Sequence, residues 1–285
     1  MKEFIAILLV LFSYPAMAQY TLSQELKFVR HLVGQEEYSD AVYYIDSKFN
    51  RDFSLPVRDS LNYFKGWSHY AMKELNQSAS SLMQVSSDSP FFYESRFFAA
   101  YNYAHLGIVP LSGHILKTLD VEGFLDELRH FELAGNALLE RDLPAFEANF
   151  SEMESSQLFS FGKEKENFKK YYAEIRAHKK KSVWAGGVLS AALPGAGKVY
   201  AGKTGEGIAS FLIVAASGAT AYENYKKSGF KNAKTILFGS LFAVLYIGNI
   251  YGSVFTVKLA NEEFNHEMDH KILFNMHIPL RNFFN

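Results

Sequence analysis

The sequence predicts an all-α fold in which a solenoid of helical hairpins is followed by a transmembrane helical hairpin. Apolar residues recur at helical spacing through the first half of the chain, and no alternating strand pattern competes with them. Two apolar stretches follow within residues 205–257, and each approaches the length that spans a bilayer. The start of the chain has the order of a signal peptide, which predicts export across a membrane.

The composition excludes several classes of function. A net charge of -1 over 285 residues argues against a nucleic-acid-binding protein, which would carry a basic domain. The chain has no cysteine, so disulfides, cysteine nucleophiles, thiolate metal sites and lipoprotein lipidation are excluded. No catalytic residue and no cofactor are predicted.

Residues 1–18 are predicted to be a cleavable signal peptide. Lys2 supplies a positive charge, residues 4–12 are an unbroken apolar run, and Ala16 and Ala18 fit the small-residue cleavage pattern. An uncleaved anchor helix is the alternative, but the run is short for a span. Cleavage after Ala18 would place the following residues on the far side of the inner membrane.

Residues 19–160 are predicted to form helix pairs joined by short turns. Small residues follow polar turns at nearly even spacing, at Ala41, Ala79, Ser112 and Ala145. The chain around them resembles the tetratricopeptide family, whose repeat is about 34 residues long. The resemblance is carried by Tyr38 with Ala41, Tyr70 with Ala79, and Tyr103 with Gly107 and Ser112. Ser112 and Asn136 depart from the Ala and Tyr of that family, so an irregular helical bundle is the alternative.

Aromatic residues are dense in this predicted domain. They can pack between stacked helices, or they can line a groove that binds a protein partner, because Tyr and Trp are favoured in interfaces. Core packing is expected for most of them and a groove for a few. The residues concerned are Tyr43, Tyr44, Tyr63, Trp67, Tyr70, Phe91, Phe92, Tyr93, Phe97, Phe98, Tyr101 and Tyr103.

The composition changes sharply after the helical domain. Residues 161–182 are predicted to be a basic helical linker, which ends in three consecutive lysines at 179–181. Residues 183–204 are apolar and then rich in glycine, and they predict a half-helix followed by a turn at the membrane surface. A third span over residues 183–200 is the alternative, but it would place the next basic loop outside.

Residues 205–257 are predicted to be a two-span membrane hairpin, with spans over 205–222 and 235–257. The loop between them carries four lysines against one glutamate, and so short a basic loop is expected to stay in the cytoplasm. The predicted location is therefore the bacterial inner membrane. Residues 19–160 would lie in the periplasm, and residues 258–285 would be a polar periplasmic tail.

Small residues predict how the two spans pack. Gly248 and Gly252 form a GxxxG pattern on the second span, and Gly218 lies among alanines on the first. Small side chains let helix backbones approach closely in lipid. GxxxG is common in apolar helices, so the interpretation favours pairing within the hairpin over dimerisation.

The turn before the first span carries a motif that consists of Pro194, Gly195, Gly197, Tyr200, Gly202 and Gly207. Together with Phe211 and Leu212, it resembles the PGxGxxYxGxxxxGxxxFL signature of small two-span membrane domains in bacterial envelope proteins. The resemblance implies this architecture and no particular chemistry. The glycines permit a tight turn, and Tyr200 suits the interfacial aromatic belt. Lys198 stands where that signature usually has Gln or His.

Two further motifs have the appearance of catalytic or binding sites. Residues 197–204 satisfy the GxxxxGK[ST] pattern of a phosphate-binding loop, but the required strand before it is broken by Pro194. His266 and His270 match HExxH and could share one face of a helix as metal ligands. The chain after them is too short for the third ligand and the cleft of a metalloprotease, so we expect a polar tail without metal.

The combined hypothesis is a non-enzymatic scaffold in the envelope, held by the lipid bilayer, whose helical repeats bind a protein partner. The alternative is a membrane-bound enzyme, either a metalloprotease that uses His266 and Glu267 or a nucleotide-dependent protein that uses Lys203. A small transporter is disfavoured because two spans without a buried charge offer no pathway. The sequence leaves the partner and the oligomeric state open.

Overall fold

A computed structural model describes residues 22–48, 53–155 and 162–284; the predicted signal peptide, residues 1–18, lies outside them. The described residues form thirteen helices and no strand, which confirms the predicted all-α fold. The helices are α1 (Leu22–Gly34), α2 (Tyr38–Lys48), α3 (Leu55–Ala71), α4 (Leu75–Leu82), α5 (Phe92–His105), α6 (Val109–Lys117), α7 (Phe124–Glu140), α8 (Leu143–Ser155), α9 (Gly162–Ala177), α10 (Val183–Ala192), α11 (Ala196–Ala201), α12 (Thr204–Ser228) and α13 (Ala233–Phe284).

The chain divides into two compact units. The first unit contains Met1–Glu164 and Asn275–Asn285, and the second contains Lys165–Phe274. Helix α13 therefore supplies residues to both units. The sequence predicts the end of the helical domain at residue 160, and it does not predict the grouping of the last residues with the first unit.

In the first unit, each of the helices α1 to α7 packs against the next one in sequence. Proline opens α3 and α6, where its missing N–H would have no helical partner. The turns after α3, α5 and α7 contain a residue with positive φ, namely Lys73 at 63°, Gly107 at 77° and Arg141 at 61°. These three turn residues are evenly spaced along the sequence.

Two equivalent buried hydrogen bonds have the same spacing along the sequence as these turn residues. Asn102 Nδ2 donates to Ser78 Oγ at 2.9 Å, and Asn136 Nδ2 donates to Ser112 Oγ at 2.8 Å. Each bond joins the first helix of one pair to the second helix of the preceding pair. The Asn136 side chain, which departs from the tetratricopeptide pattern, thus has the same packing role as Asn102.

Apolar side chains fill the interior of the first unit. Phe97, Phe98, Leu128, Phe131 and Leu138 are almost inaccessible to solvent. Burial of one such side chain contributes about 1.5–3 kcal/mol relative to its exposed state. Burial of this core is the main source of stability of the unit.

In the second unit, α10 has ten residues; its place at the membrane surface stays a prediction. Among the described residues, α13 is the helix that is long and apolar enough to cross a membrane. The first predicted span lies in α12, which has 25 residues; its membrane crossing stays a prediction.

The segment predicted as a polar tail continues α13 as an uninterrupted helix. Met268, Ile272, Met276 and Leu280, at every fourth position, are fully or almost fully buried. The other faces of this segment are polar, so its average composition does not reveal the apolar stripe.

Candidate functional site

Three helices of the first unit form a surface that holds the last turns of α13. We call it the docking face and define it by Tyr70 of α3, Phe98 and Tyr101 of α5, and Glu132 and Gly135 of α7. The Tyr70 hydroxyl is hydrogen-bonded to His277 Nε2, and the ring of Tyr101 stacks on His277 with centroids 5.3 Å apart. Phe98 contacts the ring of Phe284 at 6.1 Å. Tyr70, Phe98 and Tyr101 therefore pack against a helix of the same chain, and a groove for a protein partner stays a prediction.

Helix α7 and the terminal segment of α13 run in opposite directions. Phe124, at the start of α7, stacks on Phe283 with centroids 4.3 Å apart. Further along α7, a Cβ atom added to Gly135 would lie 2.5 Å from Met276 Sδ. The absence of a side chain at Gly135 thus lets the two helices approach closely.

Glu132 is the unusual residue of the docking face. Its side chain is buried, and neither carboxylate oxygen has a hydrogen-bond partner among residues 22–48, 53–155 and 162–284. Burial raises the pKa of this carboxyl well above its ordinary value, because a charge is unfavourable away from water. Burial also raises the pKa of the nearby Tyr70 and Tyr101 hydroxyls. Sequence reasoning missed Glu132, although its place on the apolar stripe with Leu128 and Gly135 was a usable signal.

The glycine motif of the second unit brings backbone segments into direct contact. Gly195 has a φ of 84°, and a Cβ atom there would overlap with the carbonyl of Gly207. A Cβ atom on Gly197 would overlap with the carbonyl oxygen of Gly186. Only glycine fits these two positions without a backbone shift.

The other motif residues complete this turn. The Tyr200 hydroxyl accepts a hydrogen bond from the backbone N–H of Ser182 at 3.0 Å. Gly202, with a φ of 97°, ends α11. Pro194 lines an apolar depression of about 360 Å³ together with Leu193, Val199, Ile208 and Phe211.

Polar side chains satisfy the backbone of the turn from inside the second unit. Asn249 Oδ1 accepts from the N–H of Gly195 at 3.0 Å, and Ser190 Oγ accepts from the N–H of Gly197 at 2.8 Å. The Ser190 hydroxyl donates to Ser253 Oγ at 2.7 Å. Asn249 and Ser190 thus accept hydrogen bonds from backbone N–H groups at the start of α11, which have no acceptor within the helix. Sequence reasoning missed all three, because isolated Ser and Asn residues in an apolar helix form no motif.

The three predicted packing glycines have different surroundings. A Cβ atom on Gly218 would lie 3.0 Å from the ring of Phe242, and one on Gly252 would lie 3.7 Å from Lys198 Cε. A Cβ atom on Gly248 would meet no atom of the described residues within 4 Å. A close approach between α10 and α13 instead uses Gly186, where a Cβ atom would lie 2.5 Å from Val257 Cγ2.

The two histidines proposed as weak metal candidates are exposed. His266 and His270 lie on α13, and Glu267 between them is paired with Lys271 at 2.7 Å. Within the described ranges, no group of three or more His, Cys, Asp or Glu side chains is close enough to hold a metal ion.

The residues that match a phosphate-binding loop form helical structure. Residues 197–204 contain most of α11, the turn at Gly202 and the first residue of α12. Lys203 Nζ donates to the carboxylate of Glu263 at 3.0 and 3.2 Å. Lys198 Nζ donates to Ser210 Oγ at 2.9 Å. The preceding element is helix α10, where the motif requires a strand.

No protein-family model, no curated protein and no solved structure matches this chain.

Proposed function

We propose that this chain is a non-enzymatic interaction protein of the bacterial envelope, anchored in the inner membrane by its second unit. The first unit is a tetratricopeptide-like helical array in the periplasm and binds a protein partner. The observation that carries the proposal is the opposite exposure of apolar side chains in the two units.

The second unit presents large apolar side chains on its outside. Leu237, Val244 and Phe255 on α13 are 65%, 68% and 64% exposed. Soluble proteins seldom expose wide apolar patches, and such patches mark surfaces that contact a membrane or another protein. Further exposed members are Ile208, Leu212, Ile213, Ile236, Leu241 and Ile247. A lipid environment accounts for this surface on both α12 and α13.

The two chain segments that make up the first unit support a two-span anchor. One segment ends at Glu164 and the other begins at Asn275, so both ends of the second unit belong on one side of the bilayer. If α13 crosses the membrane, the chain must cross an even number of times. With its 25 residues, α12 is the helix that can supply the second crossing. The lysine-rich loop between the two helices then lies in the cytoplasm and the first unit in the periplasm.

The repeated features of the first unit support the tetratricopeptide-like interpretation. Turn residues with positive φ and buried Asn–Ser hydrogen bonds both recur at the same spacing in residues along the chain. This spacing equals the repeat length of that family, about 34 residues. Arrays of such helix pairs bury a continuous core and leave extended surfaces for partners.

Labelling of single cysteines in intact cells tests the topology, because the native chain has no cysteine. Ser87→Cys and Asn282→Cys lie at exposed positions of the first unit, and Lys231→Cys lies in the basic loop. A membrane-impermeant maleimide should modify the first two when the outer membrane is permeable. It should modify Lys231→Cys only after the inner membrane is opened. Protection of Ser87→Cys in intact inner membranes would contradict the proposal.

A further inference from the structure

We propose that the docking face is a binding site for a helix of a partner protein that carries an arginine opposite Glu132. Residues 275–284 of the chain occupy the site when that helix is absent. The inference rests on the proposed interaction role of the first unit and specifies the chemistry of its partner.

The docking face already holds a helix. Met276 and Leu280 are fully buried, and His277 and Phe284 contact aromatic rings of α3 and α5. This is the helix-in-groove mode, in which side chains one and two helical turns apart enter an apolar surface. Another amphipathic helix with the same apolar spacing fits the same surface.

The terminal segment leaves one group of the docking face without a partner. Both oxygens of Glu132 are buried and accept no hydrogen bond from any residue that the structure describes. A buried polar group without a partner destabilises the state that contains it, by about 1–3 kcal/mol. The docked segment is therefore an imperfect ligand, and a helix with a donor at this place would bind more tightly.

Helix geometry identifies the position opposite Glu132. Gly135 faces Met276, and Glu132 lies one turn earlier on the same side of α7. Because the two helices run in opposite directions, the counterpart lies one turn after Met276, at Leu280. Leucine has no hydrogen-bond donor. An arginine at that place presents up to five N–H donors in a planar fork that matches a carboxylate.

Disulfide trapping in the full-length protein tests exchange at the docking face. The variant Gly135→Cys/Met276→Cys, purified in detergent micelles, should form an intramolecular disulfide on brief oxidation, because the two positions are in contact. The trapped fraction then reports the docked segment. The probes are synthetic peptides of residues 270–285 that carry Met276→Ala to leave room for the side chain introduced at Gly135: one with Leu280→Arg, one with Leu280→Gln and one otherwise unchanged.

The proposal expects the Leu280→Arg peptide to halve the trapped fraction at a concentration about tenfold lower than the unchanged peptide, since a hydrogen bond to a charged group has that effect. The Leu280→Gln peptide, with neutral donors, should lie between them. In a background with Glu132→Met, the advantage of arginine should disappear. Glu132→Gln is a second background, which keeps the shape of the side chain and should reduce the advantage.

Three results would overturn the proposal. They are equal potency of the three peptides, trapping that no peptide reduces, and disulfides that form between two copies of the chain. Trapping is measured on purified protein, whereas the membrane topology is measured by labelling in cells. A failure of the partner chemistry is therefore distinguishable from a failure of the proposed envelope role.

Discussion

The two units of this molecule distribute polar and apolar side chains in opposite ways. The first unit buries Leu128 and Phe131 completely. The second exposes Leu237 and Val244 and buries a hydrogen-bonded group of Ser190, Asn249 and Ser253. The first arrangement suits water, where apolar burial drives folding. The second suits lipid, where every backbone polar group must find a partner within the protein.

The comparison shows that different interactions hold the two units together. The second unit brings backbones into close contact at its glycines. In the proposed lipid environment such contact matters most, because apolar side chains gain little by leaving lipid. Shape and hydrogen bonding at Gly195 and Gly197 should therefore dominate its stability, whereas cavity formation should dominate in the first unit. The two tryptophans allow separate measurements, since Trp67 belongs to the first unit and Trp184 to the second.

Gly195→Ala should have the largest effect. The added methyl group would overlap with the Gly207 carbonyl, and the positive φ of 84° is unfavourable for alanine. We expect a loss of more than about 4 kcal/mol, which marks exceptional substitutions. The protein in micelles should then show no cooperative Trp184 fluorescence transition.

The matched control is Gly239→Ala, since a Cβ atom at Gly239 meets open space. Alanine within a helix is favoured over glycine by about 1 kcal/mol, so this variant should keep or raise the transition. A similar loss of stability in both variants would refute the role of backbone contact at the turn.

Leucine truncation compares the two interiors directly. Leu128→Ala should destabilise the first unit by about 2–5 kcal/mol, because it opens a cavity among buried side chains. Leu237→Ala removes the same atoms from a side chain that is 65% exposed, and it should change stability by less than about 1 kcal/mol in micelles. The fluorescence transitions of Trp67 and Trp184 provide the two measurements. A large loss for Leu237→Ala would mean that a protein contact, not lipid, covers this part of α13.

Asn249→Leu tests the polar interior of the second unit. The leucine leaves the Gly195 N–H without its acceptor, which should cost about 1–3 kcal/mol at a buried position. Thr220→Val is the control, because that hydroxyl donates only to the Ala216 carbonyl of its own helix. The control should shift the Trp184 transition by far less than Asn249→Leu, and an equal shift would contradict the role of the buried network.

Much of the fold was predictable because helical periodicity is a local property. The helix after residue 183 and the apolar start of α13 both follow from runs of apolar residues. The continuation of α13 to Phe284 was missed because one face of that segment is apolar while the average is polar. The docking of its last turns depends on contacts such as Tyr70 with His277, which are 207 residues apart in sequence and leave no local pattern.

The candidate sites were predictable where steric demand restricts the residue type. Gly195, Gly197 and Gly207 were singled out by the motif that resembles the signature of two-span membrane domains, and all three lie at backbone contacts. Ser190 and Glu132 were not, because their importance comes from burial, which depends on tertiary packing. Gly248 was singled out by the GxxxG pattern, but no described residue lies within contact distance of a Cβ atom at this position.

The pH dependence of the first unit should reveal the state of Glu132. Its pKa is raised in the folded protein, so the unfolded chain releases this proton first as the pH rises above about 4.5. The carboxyl therefore lowers stability progressively above that pH, up to its raised pKa. Glu132→Gln should match the wild type near pH 4 and exceed it by about 1–3 kcal/mol near pH 7.5. Urea titrations monitored by Trp67 measure this difference, and a constant offset at every pH would contradict it.

Lys203→Met should have the smallest effect and tests the enzyme alternative. The Lys203–Glu263 pair is partly exposed, and such pairs contribute between zero and about 1 kcal/mol. Glu263→Gln should behave in the same way, because both variants remove one partner of the same pair. A nucleotide that bound at Lys203 would stabilise the folded second unit by about 2.7 kcal/mol at a hundredfold excess over its dissociation constant. We expect magnesium and ATP at millimolar concentration to leave the Trp184 transition unchanged, and a rise that Lys203→Met abolishes would favour the nucleotide-dependent protein.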